Sequence, residues 1–207
     1  MAELFNRVNW VDLIALILLL RISYTSSLIG VGKQILPLVT LVLIVSIILH
    51  SYSDIASFFV GRYSFAPSTC EFACYVIMGV VFFVIYHFIG RLSGFFIAVG
   101  EAASGGVEKA GGALLGILRS IIIVGLVAIG LLLTPVRFVE SSVKGSYSAS
   151  FFISADLRIY VAAANLIFRE ERISYREALA KLLAQKKDYI FKPIDVKKKS
   201  RFFKEKY

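Results

Sequence analysis

The sequence predicts an all-α polytopic membrane protein, and three observations carry that prediction. The chain has 207 residues, of which 58% are hydrophobic and 18% are charged, against about 45–50% and about 25% in soluble proteins. Its apolar residues form continuous runs close to the roughly 20 residues that a helix needs to cross a bilayer. The runs do not alternate apolar with polar positions, as the strands of a membrane barrel would. A soluble globular domain is therefore disfavoured.

About four transmembrane helices are predicted. The first begins at Trp10 and must continue through Arg21, because the run that ends at Leu20 is too short to span the hydrocarbon core. The second has Pro37 in its first turn, where a missing N–H costs least. Basic residues in the short connections are divided evenly between the two sides, so they favour neither orientation. The predicted spans are Trp10–Ile29, 35–50, 72–89 and 112–133, and the polar residues 51–54 are expected to belong to the connection after the second span.

Two further helices are predicted after the fourth span. Residues 141–150 are expected to form a polar loop, and residues 151–168 are apolar but include Asp156 and Arg158. This combination favours an interfacial or bundle-packed helix over a fifth crossing. Ser174 with Glu177 three residues later is a capping box, which predicts the start of a short, soluble C-terminal helix.

The charge distribution divides the chain into two domains. The formal net charge is +9, and residues 169–207 carry thirteen basic and six acidic groups, which is +7 of that total. We expect a helical membrane domain over 1–168 and a basic C-terminal helix with a disordered tail over 169–207. Such a tail binds anionic lipid headgroups at about 1 kcal/mol per basic residue, although a merely solvated tail is an equal alternative. Nucleic acid is not expected as a partner, because a basic segment beside a membrane meets lipid first.

Two sequence elements resemble a known family. The first has Asp12 a few residues into the first span, followed by Gly30 and Lys33 ahead of the second. The other has Glu108 beside a lysine, then spaced glycines and an arginine at the start of the fourth span. Both are similar to elements of the colicin V production (CvpA-like) proteins of bacteria. The matching residues are Asp12, Gly30, Lys33, Glu108, Gly112, Gly116 and Arg119.

The resemblance covers about residues 8–168 and implies a function as well as a topology. It implies a multi-pass protein of the bacterial inner membrane that is linked to toxin production or export, or to envelope maintenance. Export or envelope proteins would be its partners, and no catalysis is implied. Gln34 and Ser120 depart from the family pattern.

Ionisable residues inside predicted spans are candidate functional residues, because each costs at least about 2.5–3.5 kcal/mol at bilayer depth. Asp12, Arg21 and Arg119 are the main ones. Asp12 and Arg21 are nine positions apart on one helix, too far for a direct pair. Structural pairing or snorkelling is one interpretation, and a polar path for an ion, proton or peptide is the other.

Small residues recur every four positions at Gly90, Gly94 and Ala98, and again at Gly112 and Gly116. Such spacing allows two helix backbones to approach closely. The contact could lie within one chain or between the subunits of a homo-oligomer. The second interpretation gives the alternative function, a channel or transporter subunit with a glycine-rich pore helix.

The sequence offers no catalytic constellation. Cys70 and Cys74 are expected to be buried thiols, since two cysteines make a poor zinc site and no histidine has ligand-like spacing. No phosphate-binding loop, nucleophile elbow or zinc-protease motif is present. We therefore expect a protein that is not an enzyme and needs no metal or cofactor.

Overall fold

The structure is a computed structural model that describes residues 9–29, 31–63, 66–97, 106–167 and 174–184. All regular secondary structure in these ranges is helical, which confirms the all-α prediction there. The helices are α1 (Trp10–Ile29), α2 (Gly32–Tyr63), α3 (Pro67–Ile97), α4 (Gly106–Leu133), α5 (Arg137–Gly145), α6 (Tyr147–Ile167) and α7 (Tyr175–Ala184).

Five of these helices are long and apolar enough to cross a membrane, namely α1, α2, α3, α4 and α6. Each of the four predicted spans lies within one of the first four helices. The chain is therefore a multi-pass membrane protein. The fifth helix, α6, covers most of the segment predicted as interfacial or bundle-packed, and it packs against both α4 and α2.

Two predicted connections are wrong. Residues 51–54 lie inside α2, which has 32 residues and therefore extends for about 48 Å, well beyond a hydrocarbon core of about 30 Å. Polar residues are accommodated in this part of the helix, and just after the segment Ser57 Oγ donates to the Asp54 carbonyl in the preceding turn at 2.8 Å. The predicted loop 141–150 is also mostly helical, since α5 covers its first half and α6 begins at Tyr147. Within α5, Lys144 Nζ lies 2.6 Å from Glu140 Oε1.

Helix α4 is the centre of the bundle and contacts α1, α2, α3, α5 and α6. Helix α1 runs antiparallel to it, because Ser26 of α1 lies near Gly116 at the start of α4, whereas Val11 lies near Leu131 at the other end. The interior is filled with apolar side chains, and Ile129 is completely buried. The outer faces of α1 and α3 are apolar and exposed, as Ile17 and Phe83 illustrate, which suits contact with lipid tails.

The short helix α7 begins as the capping box predicts. The Ser174 backbone N–H donates to Glu177 Oε2 at 2.8 Å, which satisfies one of the free donors at a helix start. Its buried residues Ala178 and Leu182 pack beside Tyr52 of α2. The basic residues beyond α7 lie outside the described residues, and so does the predicted contact of the tail with lipid.

Candidate functional site

The most unusual polar residue of the bundle is Asp156, in the middle of α6. Its side chain is 0% exposed, and neither carboxyl oxygen has a hydrogen-bond partner among the described residues. The carboxyl group lies directly against Gly125 of α4, where an added Cβ would overlap its atoms. Only glycine at position 125 therefore leaves room for this acid between the two helices.

Three buried tyrosines and a histidine surround this region, and we call them, with Asp156, the buried polar cluster. The Tyr75 hydroxyl donates to the Leu126 carbonyl at 2.7 Å, one residue from Gly125, and Tyr75 interacts electrostatically with Asp156. The rings of Tyr52 and Tyr75 meet edge to face at 5.8 Å. Tyr160 Oη lies 3.3 Å from His50 Nδ1. The members are His50, Tyr52, Tyr75, Asp156 and Tyr160.

Sequence reasoning missed this cluster. The charge of Asp156 in an apolar run predicts only an interfacial or bundle-packed helix, and nothing in the sequence pattern groups the tyrosines as a set. The available signal was a lone acid in an apolar run together with Gly125 inside the continuous apolar run of the fourth span. The two apolar runs do not indicate that Asp156 and Gly125, on different helices, lie in contact.

Asp12, a predicted site residue, joins α1 to the start of α6. Its Oδ1 accepts hydrogen bonds from Ser146 Oγ at 2.6 Å, Ser148 Oγ at 2.5 Å and the Ser148 backbone N–H at 2.9 Å. Its Oδ2 accepts from the backbone N–H of Asn9 at 3.3 Å. A carboxylate at a helix N-terminus is also stabilised by the helix dipole. The arrangement gives Asp12 a structural role, since it caps a helix that begins 135 residues later in the sequence.

We expect Asp12→Ala to lower the free energy of unfolding by about 2 kcal/mol, because a cap and several charge-assisted hydrogen bonds are lost together. Thermal unfolding of the purified protein in mild detergent measures this. Asp54→Ala is the matched control, because Asp54 is an exposed aspartate on α2. An equal fall in melting temperature for the two variants would contradict the capping role.

The part of the first family-like element between α1 and α2 meets the second element at one end of the bundle, whereas Asp12 lies at the other end. Val31, between α1 and α2, lies against Gly111 in the early part of α4. The Gln34 side-chain amide donates to the Ser26 carbonyl in the last turn of α1, which satisfies an otherwise free carbonyl at a helix end. Among the other residues of these two elements, Lys33 is half-buried and Gly112 is buried. Glu108 lies in the first turn of α4. Gly30 lies outside the described residues.

The other predicted polar candidates are in different surroundings. The Arg119 guanidinium lies 5.1 Å from the centre of the Tyr86 ring, a cation–π distance that links α4 to α3. Arg21 is exposed on the outer face of α1, between the exposed apolar side chains Ile17 and Leu28. Among the described residues no hydrogen bond or ion pair joins either arginine to Asp12, so the ionisable candidates do not form one site.

Of the predicted packing glycines, Gly116 makes a close contact within the chain. A Cβ there would overlap Ser26 and come within 3.2 Å of the Ser23 Cα of α1. A Cβ at Gly90 would meet no described atom within 4 Å. Gly94 lies near the end of α3, and Ala98 lies outside the described residues.

The described residues hold no group of three or more histidine, cysteine, aspartate or glutamate side chains placed to bind a metal ion. Cys70 and Cys74 are both buried, as predicted, and are free thiols. Cys70 Sγ lies 3.6 Å from the Ala56 carbonyl of α2. The thiols thus contribute to the packing of α3 on α2.

Comparison with known proteins gives one match. The family model described as colicin V production protein matches residues 11–156, which are 146 of the 207 residues. The matched region begins in the first turns of α1 and ends at Asp156, so it includes every residue of the two family-like elements. No match to a curated protein or to a solved structure was found.

Proposed function

Because the chain belongs to the colicin V production protein family, we propose that it acts in the bacterial inner membrane as a non-enzymatic factor for producing or exporting a peptide toxin. The family match over the membrane helices is the observation that carries this proposal. A role as a protein-binding membrane scaffold is consistent with the filled interior of the bundle. Envelope maintenance would be a second task of the same scaffold.

We further propose that α6 is a fifth crossing. With 21 residues it is about 32 Å long, enough for a hydrocarbon core of about 30 Å. It lies antiparallel to α4, since Asp156 meets Gly125 whereas Ala149, earlier in α6, lies near Leu131, later in α4. Five crossings place the N-terminus and α7 on opposite sides, whereas four would place them together. Reporter domains fused before Trp10 and after Ala184 distinguish the two topologies.

The proposed role predicts that deleting the gene from a toxin-secreting host lowers the active toxin in the medium to near background. The toxin transcript should be unchanged, because the protein acts after expression in this proposal. The measurement is the inhibition zone on a sensitive strain together with an immunoblot of the toxin in cells and medium. Restoration by the wild-type gene is the control. Unchanged toxin release in the deletion strain would contradict the proposal.

A homo-oligomeric channel is the second candidate, and the position of Arg21 favours it. Arg21 is exposed near the middle of the 20-residue helix α1, where contact with lipid would cost at least about 2.5–3.5 kcal/mol. A neighbouring copy or a water-filled pore between copies would remove that cost. The interior of one chain is packed with buried residues such as Val45 and Ile129, so a pore would lie between subunits. In this arrangement α1 lines the pore between the subunits. The Gly116 face of α4 cannot line it, because α1 of the same chain covers that face.

Single-channel recording of the purified protein in planar bilayers separates the two candidates. Discrete conductance that falls or changes ion selectivity in Arg21→Leu, with unchanged protein level, would support the channel. Tyr24→Phe is a suitable control, because Tyr24 is also exposed on α1 but carries no charge. Absence of conductance at a saturating protein concentration would support the scaffold.

A further inference from the structure

Asp156 has no part in the proposed toxin-related role. An ionised carboxylate taken out of water loses several kcal/mol of solvation even after the protein relaxes. Hydrogen bonds could offset part of that loss, but both carboxyl oxygens lack a partner among the described residues. Asp156 is fully buried, so water at the bundle surface does not solvate it.

Three cations on α4, α5 and α6 have contacts other than Asp156. Arg158, two positions further along α6, is exposed and its guanidinium lies 6.0 Å from the centre of the Tyr175 ring. Arg119 of α4 lies over Tyr86. Lys144 of α5 is paired with Glu140. No ion pair therefore compensates a negative charge on Asp156 among the described residues.

The titratable groups that approach Asp156 from the surrounding helices are mostly neutral hydroxyls. Helix α3 contributes Tyr75, and α2 contributes Tyr52 against Tyr75 and His50 against Tyr160. Helix α4 presents Gly125 at this level. Asp54 of α2 and Glu71 of α3 interact electrostatically with Tyr52, and Asp54 also interacts with Tyr160. Further titratable groups lie at the ends of α6: Asp12 of α1, Glu140 and Lys144 of α5, and Tyr175 and Glu177 of α7.

A metal cation does not fit this site. Such an ion takes several oxygen ligands at once, whereas the Tyr75 hydroxyl is already bonded to the Leu126 carbonyl. The carboxyl group also lies so close to Gly125 that a Cβ would overlap it. A proton needs no cavity and removes the charge that burial opposes.

We propose that Asp156 is a proton-binding site within the membrane and that its ionisation loosens the packing of α6 on α4. On uptake, a hydronium ion transfers its proton to one carboxyl oxygen, an O–H bond forms and water is released. On release, the same bond breaks and water takes the proton. Water can reach the carboxyl group only when α6 moves away from Gly125, so proton exchange and helix separation occur together.

Infrared pH titration of the full chain in lipid nanodiscs tests the proposal directly. We expect the C=O stretching band of a protonated carboxylic acid at neutral pH, which disappears only in alkaline solution. Asp156→Asn, which is nearly isosteric, should lack that band. Asp54→Asn, a change of an exposed aspartate, should keep it. Circular dichroism verifies that each variant retains its helical content.

Hydrogen–deuterium exchange tests the coupling to helix packing. Exchange of α6 amides should rise several-fold over the pH range in which the band disappears, and the rise should be absent in Asp156→Asn. The proton site would be overturned if Asp156→Asn kept the carboxylic acid band, or if the wild-type protein showed no such band at neutral pH. The coupling between ionisation and helix packing would be overturned if amide exchange of α6 did not change over the pH range in which the carboxylic acid band disappears. None of these measurements depends on toxin release.

Discussion

Replacing Gly116 by leucine is expected to separate α1 from α4 and to remove most of the folded protein from the membrane. A Cβ at Gly116 would overlap the Ser26 side chain and lie 3.2 Å from the Ser23 Cα. A backbone atom cannot rotate away as a flexible side chain can, so the helices themselves must shift. Overpacking a well-packed interior costs about 1–3 kcal/mol, and we expect the upper end here because a whole leucine side chain must be accommodated.

The measurement is the amount of full-length protein in the membrane fraction, together with the melting temperature of the purified remainder. Gly79→Leu is the matched control, because a Cβ at Gly79 of α3 meets no described atom within 4 Å. Gly79→Leu should leave both quantities near the wild-type values. If Gly116 served mainly as a contact between subunits, Gly116→Leu would stay folded and lose only its crosslinked oligomer, which would contradict the expected result.

The sequence predicted the membrane helices well because length and hydrophobicity are local properties. The first span is found as predicted, Trp10–Ile29, since an aromatic residue at the interface marks its start and the required length marks its end. The second helix is longer than predicted because polar residues at 51–54 do not interrupt it. Pro37 lies five positions after the start of this helix, beyond the predicted first turn, because the helix begins three residues earlier than expected.

The site was harder to predict because it depends on partners distant in the chain. The position of Asp12 makes it a candidate, but its donors Ser146 and Ser148 are 134 and 136 residues away in the sequence. Asp156 is a charge near aromatic residues, a combination that favours an interfacial or bundle-packed helix without indicating which. Its burial follows from a glycine on another helix, and hydrophobic periodicity in one segment contains no information about that contact.

The contact between Gly125 and Asp156 leads to the second prediction with a large effect. Replacing Gly125 by alanine is expected to displace α6 and to lower the free energy of unfolding by about 2–3 kcal/mol. The new methyl group would overlap the Asp156 carboxyl group. That side chain is enclosed and has no exposed surface, so it cannot swing into solvent to relieve the overlap.

A double-mutant cycle attributes the effect to this pair of residues. Asp156→Ala removes the atoms that the new methyl group meets, so Gly125→Ala should cost much less in an Asp156→Ala background than in the wild type. Residues in direct contact show such coupling, whereas distant sites add. Gly79→Ala, which introduces its methyl group where no described atom lies within 4 Å, should be additive with Asp156→Ala. The cycle is measured by the melting temperatures of the wild type, the two single variants and the double variant in one detergent. Additive effects of Gly125→Ala and Asp156→Ala would show that α6 does not pack on α4 at this point.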